Sequence, residues 1–330
     1  MQSHLKTILF TGLNKVACES QDIDLTPPPS GALIRTRYSC ISAGTELAKL
    51  SGRQQFAYPG GIGNRVIGRI EQVGASCTIV KPGDLVFAHT PHASHASTTG
   101  LMVRLPEELD IPETALIGMA SVAITGIRVA QPEMGDTAVV LGAGLVGQLL
   151  AQLLAINGVR PILVDRIADR LSVARTCGIK DVADSSEGLA CDNADIVFDC
   201  TGVPDAIIDA PRYARKGGQI VLVGSPRGSA TVDVTEFLNA FHLDRPHGDL
   251  TLRGAHEWKL PLWPTPGVKH SQAHNIEFLA GLIQESRLKL TPLLSGVFAP
   301  ERAQEAYDAL ARSPQSTLGA VFDWTKVEQS

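Results

Sequence analysis

The segment "VVLGAGLVGQLL" spaces Gly142, Gly144 and Gly147 as G-x-G-x-x-G directly after an apolar run. In that pattern the first glycine permits a tight turn and the second lets a pyrophosphate approach the backbone. The third lets a helix pack closely on its strand. A helix opening at Gly144 would turn the N–H groups of Leu145, Val146 and Gly147, and its positive dipole end, toward the phosphates. The run "PILVD" ends in Asp165, 18 residues after Gly147, where a carboxylate can accept hydrogen bonds from ribose hydroxyls and repel a 2′-phosphate. That favours NAD(H). Arg166 beside it can pair with such a phosphate, so NADP(H) stays open. Thr201 and Gly202 in "DCTGVP", with Gly224 and Ser225 in "VGSPRG", end further apolar runs and are expected to flank the ribose and nicotinamide.

Two other groups of residues could carry chemistry. In "GIGNRVIGRIEQVG" Asn64 and Arg65 stand at a strand start, where a charge is either solvated or lines a cleft. In "HTPHASHAST" His89, His92 and His95 recur every third residue, but Pro91 and the strand–turn setting spoil a helical ligand geometry. A metal site, a proton-donating His92 in a substrate pocket, and structural histidines are the three readings, and imidazole titrates near neutral pH.

The elements that would position these residues fall into two textures. Up to about residue 115 short strands such as "ALIRTRYSCIS", "RVIGRIEQVG" and "DLVFAHT" alternate with turn signals "PPPSG", "YPGG" and "KPGD", which predicts an antiparallel barrel. From "ETALIGMASVAITGIRVA" onward apolar strands alternate with helices, which predicts a parallel, doubly wound sheet. The closing "GAVFDW" reads as a strand returning to the first domain. The fold class is therefore α/β, with a barrel domain over 1–118 and 257–330 and a Rossmann domain over 119–256.

The chain has 330 residues, 44% of them apolar and 19% charged, with a formal net charge of −5. Its cations form no run of five, so neither nucleic acid nor an anionic membrane is expected as a partner. "MQSHLKTILFTG" carries about five apolar residues before polar ones resume, short for a signal-peptide core, and no membrane span of about 18 apolar residues is expected. The six cysteines (18, 40, 77, 177, 191 and 200) are dispersed, with no CxxC pair. They read as reduced thiols of a cytoplasmic protein.

Taken together, "GTELAKLSG" (44–52), "VIGRIEQVG" (66–74), "KPGDLVFA" (81–88), "GDTAVVLGAGLVGQLLAQLL" (135–154) and "APERAQEAYDAL…TLGAVFDW" resemble the medium-chain dehydrogenase/reductase superfamily, zinc alcohol dehydrogenase group. The resemblance implies a GroES-like catalytic domain, a Rossmann domain and an active site in the cleft between them. It also implies a homodimer through the Rossmann domain, with strands near "GGQIVLVG" and "ATVDV" at or close to the contact. The family's catalytic zinc positions hold Ala43, Asn64, Arg65 and Ile117 or Gly118 here, and its proton-relay histidine aligns with Ala48. The four-cysteine structural-zinc lobe is replaced by "HTPHASHASTTG". No zinc is expected, and the detailed pattern resembles the zinc-less branch related to the bacteriochlorophyllide dehydrogenase group.

On this resemblance Thr45 takes the family's relay hydroxyl position. Asn64 and Arg65 stand where the metal would have been, with Arg65 as oxyanion donor, substrate clamp or ion-pair partner of Glu46. Tyr58 and Ser121 are expected to line the substrate pocket, and Trp258 and Trp263 to shape it or a subunit contact. The expected function is hydride transfer between a nicotinamide and a secondary alcohol or ketone in specialised biosynthesis. The alternatives are a metal-free C=C or C=N reductase and a catalytically silent nucleotide-binding protein. "GAGLVG" with Asp165 favours the alcohol reaction over the reductase one, and turnover of NADH with a ketone panel separates the alcohol reaction from the silent protein.

Overall fold

The computed structural model describes residues 2–184, 193–313 and 315–327; Cys191 lies outside these, and the other five cysteines are free thiols. Along the chain come β1 (Gln2–Gly12), β2 (Lys15–Asp24), β3 (Ala32–Cys40), α1 (Ala43–Leu50), β4 (Gly60–Gly61), β5 (Val66–Val73), β6 (Leu85–Ala88), β7 (His95–Thr98), β8 (Met102–Arg104) and α2 (Ile117–Ala130). Then follow β9 (Thr137–Leu141), α3 (Leu145–Ile156), β10 (Arg160–Asp165), α4 (Ala168–Thr176), β11 (Asp181–Asp184), β12 (Ala194–Asp199), α5 (Pro204–Asp209), β13 (Ala214–Leu222), α6 (Val234–His242) and β14 (Thr251–Gly254). The chain closes with α7 (Gln272–Gln284), β15 (Leu294–Phe298), α8 (Ala303–Arg312) and β16 (Gly319–Asp323). Two compact units result: Met1–Gly118, Pro261–Ser286 and Leu294–Ser330 form the first, Met119–Leu260 and Arg287–Leu293 the second.

In the first unit β2-β1-β4 form one sheet and β15-β16-β3-β5-β6-β8 another, with β7 also paired to β3. All pairs are antiparallel except β15 with β16. The β1–β2 hairpin, which the sequence patterning had not indicated, turns at Asn14 in a left-handed conformation (φ +56°) that asparagine tolerates well. A bridge between Thr7 and Ala93 ties β1 to the segment before β7. The core gathers Ile8, Phe10, Ile41, Tyr307, Phe322 and Trp324. Helix α8 contributes through Ala303, Ala306, Tyr307 and Leu310, spaced i, i+3, i+4, i+7 so that one face is apolar.

The second unit is a parallel sheet in the order β11-β10-β9-β12-β13-β14. Strands β9 and β12 are almost wholly buried, and their central residues are apolar, as in interior parallel strands. The order reverses between them, so their carboxyl ends border the crevice where doubly wound sheets take ligands. Strand β13 ("GGQIVLVG") lies between β12 and β14, and "ATVDV" leads into α6. Strand β14, next to β13, is the terminal strand on that side.

Two further expectations change. The 19-residue stretch Pro112–Ala130 is long and apolar enough for a membrane span by composition, but 78% of its apolar 18-residue window is buried inside the fold. The sequence suggests a first-domain return across all of 257–330, whereas Arg287–Leu293 packs with the second unit. Gln152 on α3 holds it there: Nε2 donates to the Lys289 carbonyl (3.1 Å) and Oε1 accepts the Lys289 N–H (2.8 Å). Replacing Gln152 with Ala removes both hydrogen bonds to the Lys289 backbone at a partly buried site. A loss of about 1–3 kcal/mol, read as a lower denaturation midpoint, is the expected outcome.

Candidate functional site

The carboxyl ends of β9, β10, β12 and β13 bring the sequence-predicted dinucleotide residues to one sheet edge. Gly142 follows β9 with φ +95°, and a Cβ there would meet the Thr201 side chain at 2.8 Å. A Cβ on Gly147 would meet the Gly142 carbonyl oxygen at 1.8 Å, so the first turn of α3 must carry glycine to pack on β9. Around Gly144 the space is open, with nothing within 4 Å of a Cβ. Gly144 is the N-cap of α3, and the first intrahelical bond runs from Gln148 N–H to its carbonyl. The N–H groups of Leu145, Val146 and Gly147 therefore have no intrahelical acceptor. These features fit a bound dinucleotide pyrophosphate.

Asp165 ends β10 nearly buried, at 8% exposure. Its carboxylate accepts from Ala143 N–H (2.7 Å) and Ile167 N–H (2.9 Å), with the Arg170 guanidinium at 3.5 Å. Arg170 carried no signal in the sequence, while Arg166 is exposed. Asp199 was also missed. Its carboxylate takes Thr201 N–H (3.0 Å), Thr201 Oγ1–H (2.5 Å) and Gly202 N–H (3.2 Å), shaping the turn after β12. Burial pushes its carboxyl above the usual range despite those bonds. Here a signal was present: a Thr two residues after an Asp is an Asx-turn pattern. Gly202 and Gly224 pack so closely that a Cβ on Gly202 would lie 2.5 Å from the Ser225 carbonyl oxygen. Ser121 on α2 is buried at 1%, and its Oγ has no hydrogen-bond partner among the described residues.

In the first unit Arg65 is buried at 6% exposure, at the start of β5. Its Nε donates to the Gly118 carbonyl (3.1 Å) and Nη1 to Asn64 Oδ1 (2.7 Å). A Cβ on Gly118 would lie 2.3 Å from Arg65 Cδ, so the arginine stem occupies the space a side chain at 118 would need. The expected Arg65–Glu46 ion pair is not the contact Glu46 makes. That carboxylate, 2% exposed on α1, takes Tyr307 Oη–H (2.5 Å), Ser42 N–H (2.8 Å) and His92 Nε2 (3.2 Å). Burial alone would raise the Glu46 carboxyl. The His92 charge and hydrogen bond, with those from Tyr307 and Ser42, hold it below the usual range.

His92 needs correction as a pocket proton donor. It is fully enclosed, turns Nε2 to Glu46 and packs edge-on against Phe322 at 5.3 Å. A general acid must reach the atom it protonates. Tyr58 likewise is less a pocket wall than a brace: its hydroxyl donates to the Lys49 carbonyl (2.5 Å) and its ring packs on Phe56. His89 lies edge-on to Phe87, and His95 sits 3.5 Å from Glu71. Thr45 is half-buried in the first turn of α1, its N–H donating to the Ser42 carbonyl (3.1 Å). Trp258 is largely exposed.

The zinc positions implied by the family resemblance do not suit the metal. An alanine, an amide, a buried guanidinium and a glycine cannot supply the thiolate, imidazole or carboxylate ligands zinc takes. Nearby Cys40 is a buried thiol, pushed up to about 12 by burial. Among the described residues no group of three or more His, Cys, Asp or Glu could hold a metal ion.

The glycines make separable predictions. Gly147→Ala forces a clash in the free protein and should lower its melting temperature. Gly144→Ala meets nothing in the free protein, so stability should hold while calorimetry shows weaker dinucleotide binding. Equal stability loss in both variants would contradict these roles.

Residues 146–256 match the family described as zinc-binding dehydrogenase. Over 260 residues the chain is 24% identical to D-xylulose reductase of Saccharomyces cerevisiae, covering 73% of this chain and 67% of that one. The chain spans about half to two thirds of the length of several curated relatives it matches. Among solved structures, galactitol-1-phosphate dehydrogenase of Escherichia coli superposes with TM-score 0.81 at 18% identity, over 96% of this chain and 99% of that one. A short chain alcohol dehydrogenase of E. coli CFT073 complexed with NADH gives TM-score 0.76 at 18% identity, over 97% and 99%. A Sinorhizobium meliloti neighbour was solved with NADP. Over residues 146–256 the sequence is thus similar to the zinc-binding dehydrogenase family, and over nearly its whole length the chain shares the fold of these dehydrogenase structures.

Proposed function

We propose that this protein is a zinc-independent, nicotinamide-dependent oxidoreductase that interconverts a secondary alcohol and a ketone, with NAD(H) as the preferred cofactor. The observation that carries the reading is the buried Arg65 guanidinium, fixed by Gly118 and Asn64 at the family's metal position. A polyol or ketose substrate is part of the reading, supported by relatives named D-xylulose reductase and sorbitol dehydrogenase. A cytoplasmic homodimer, joined at the free edge of β14, completes it.

In this reading the crevice residues hold the dinucleotide: Gly142, Gly144 and Gly147 with the first N–H groups of α3 at the pyrophosphate, Asp165 at the ribose. When bound, the nicotinamide supplies or accepts the hydride. Thr45 Oγ1 hydrogen-bonds the substrate oxygen and moves its proton. Arg65, oriented through Nε and Nη1, stabilises the alkoxide charge that develops on that oxygen, as fixed donors do in a water-poor site. The task zinc performs as a Lewis acid falls to hydrogen-bond donors.

The test is turnover of NADH with D-xylulose, and of NAD⁺ with sorbitol, by wild type and two variants. Thr45→Val should cut turnover about 100- to 1000-fold, the usual effect of losing one oxyanion donor, with NADH affinity unchanged. Arg65→Met should lower kcat with little change in KM if it stabilises the alkoxide. Full activity in both variants would contradict the assignment.

Cofactor choice is tested separately. Wild type should bind NADH more tightly than NADPH, and Asp165→Ser should narrow or invert that preference. Tighter wild-type binding of NADPH would mean that the neighbouring cations outweigh Asp165.

A further inference from the structure

The first turn of α1 is tied down in an unusual way. Its N-cap, Ser42, makes no side-chain capping bond, although serine is well suited to cap its own helix. The Ser42 N–H is instead taken by Glu46 Oε1 from one turn further on (2.8 Å). The second oxygen of the same carboxylate accepts from two side chains distant in sequence, His92 Nε2 (3.2 Å) and Tyr307 Oη (2.5 Å).

Both donors sit on anchored backbone. His92 is pinned on each side, its N–H to the Ile62 carbonyl (2.8 Å) and its carbonyl to the Ile8 N–H (2.9 Å). Tyr307 is fully buried on α8 against Phe10 and Phe322, with ring centroids 5.1 and 6.2 Å away. A buried carboxylate costs several kcal/mol to desolvate, a cost that an exposed serine cap would avoid. Helix formation alone therefore does not account for the arrangement. It does fix where the turn Ser42–Glu46 sits relative to β1 and α8, and that turn carries Thr45.

We infer that Glu46 is a positioning residue: held by Tyr307 and His92, it fixes the α1 turn so that the Thr45 hydroxyl stays aimed at the substrate oxygen. The inference rests on the proposed role of Thr45. It adds that the distant Tyr307 and the buried His92 act on the reaction only through Glu46. A misaimed hydroxyl costs rate rather than ground-state binding, because its hydrogen bond strengthens as charge develops.

Tyr307→Phe tests it without leaving a hole in the core, since the ring and its packing remain. Amide hydrogen exchange at Ser42–Leu47 should rise on the order of 10-fold, the effect of about 1.4 kcal/mol of lost local protection, while exchange in α8 and β16 stays as in wild type. Unchanged exchange at Ser42–Leu47 would overturn the inference, as would an equal rise throughout the unit. With NADH and D-xylulose, Tyr307→Phe and Glu46→Gln should each lower kcat roughly 10- to 100-fold, the scale of an ångström-sized misplacement, and leave NADH affinity intact. Placed on Thr45→Val, neither should lower kcat further, because the group they aim is gone. Losses that multiply would overturn it. If Thr45→Val alone leaves turnover intact, the proposed catalytic role fails, and the link between Thr45 and Glu46 fails with it. Hydrogen exchange needs no turnover, so a rise confined to Ser42–Leu47 would still show that Tyr307 holds the turn through Glu46.

Discussion

A guanidinium taken out of water must find fixed acceptors or destabilise the fold, and the placement of Arg65 obeys that constraint. The Gly118 carbonyl and the Asn64 side chain accept from it on two sides, while the Arg65 carbonyl accepts from Cys40 N–H (3.3 Å). The constraint explains neighbouring residue types. Position 118 has to lack a side chain because the arginine stem fills that space. Position 64 has to offer an oxygen short enough to turn back on its neighbour. Asn64, Arg65 and Gly118 are thus one packing solution, built around a cation.

A second buried charge, Glu46, lies close enough for Cys40 to feel both, yet it is satisfied by its own donors. Three elements meet at that carboxylate: α1, the segment leading into β7, and α8. Arg65 is oriented by a carbonyl and an amide.

The nucleotide-binding unit was legible in the sequence because its demands are local. The turn after β9, the open face at Gly144 and the close approach at Gly147 are imposed within a few residues. The buried runs of β9, β10 and β12 carry a continuous apolar pattern. Strand β11 (Asp181–Asp184) lacked that pattern and gave no signal. The first unit was legible in its strands but not in its polar interior. Glu46 and Tyr307 are 261 positions apart, and no periodicity links them. The same distance hid the true setting of His92, whose spacing with His89 and His95 suggested a shared role. Burial separates the three: His92 is enclosed, while the other two remain partly accessible. The ion pair of Glu46 with Arg65, one of three readings for Arg65, rests on family position alone, which carries nothing about donors arriving from α8.

The central claim is that hydrogen-bond donors stand where the family carries zinc. It is tested most directly by measuring turnover and bound metal on the same sample, before and after exhaustive dialysis against a strong chelator. Far less than one equivalent of zinc per chain and an unchanged kcat after chelation are the predicted results. Stoichiometric zinc, with activity lost on its removal and restored by adding it back, would contradict the claim.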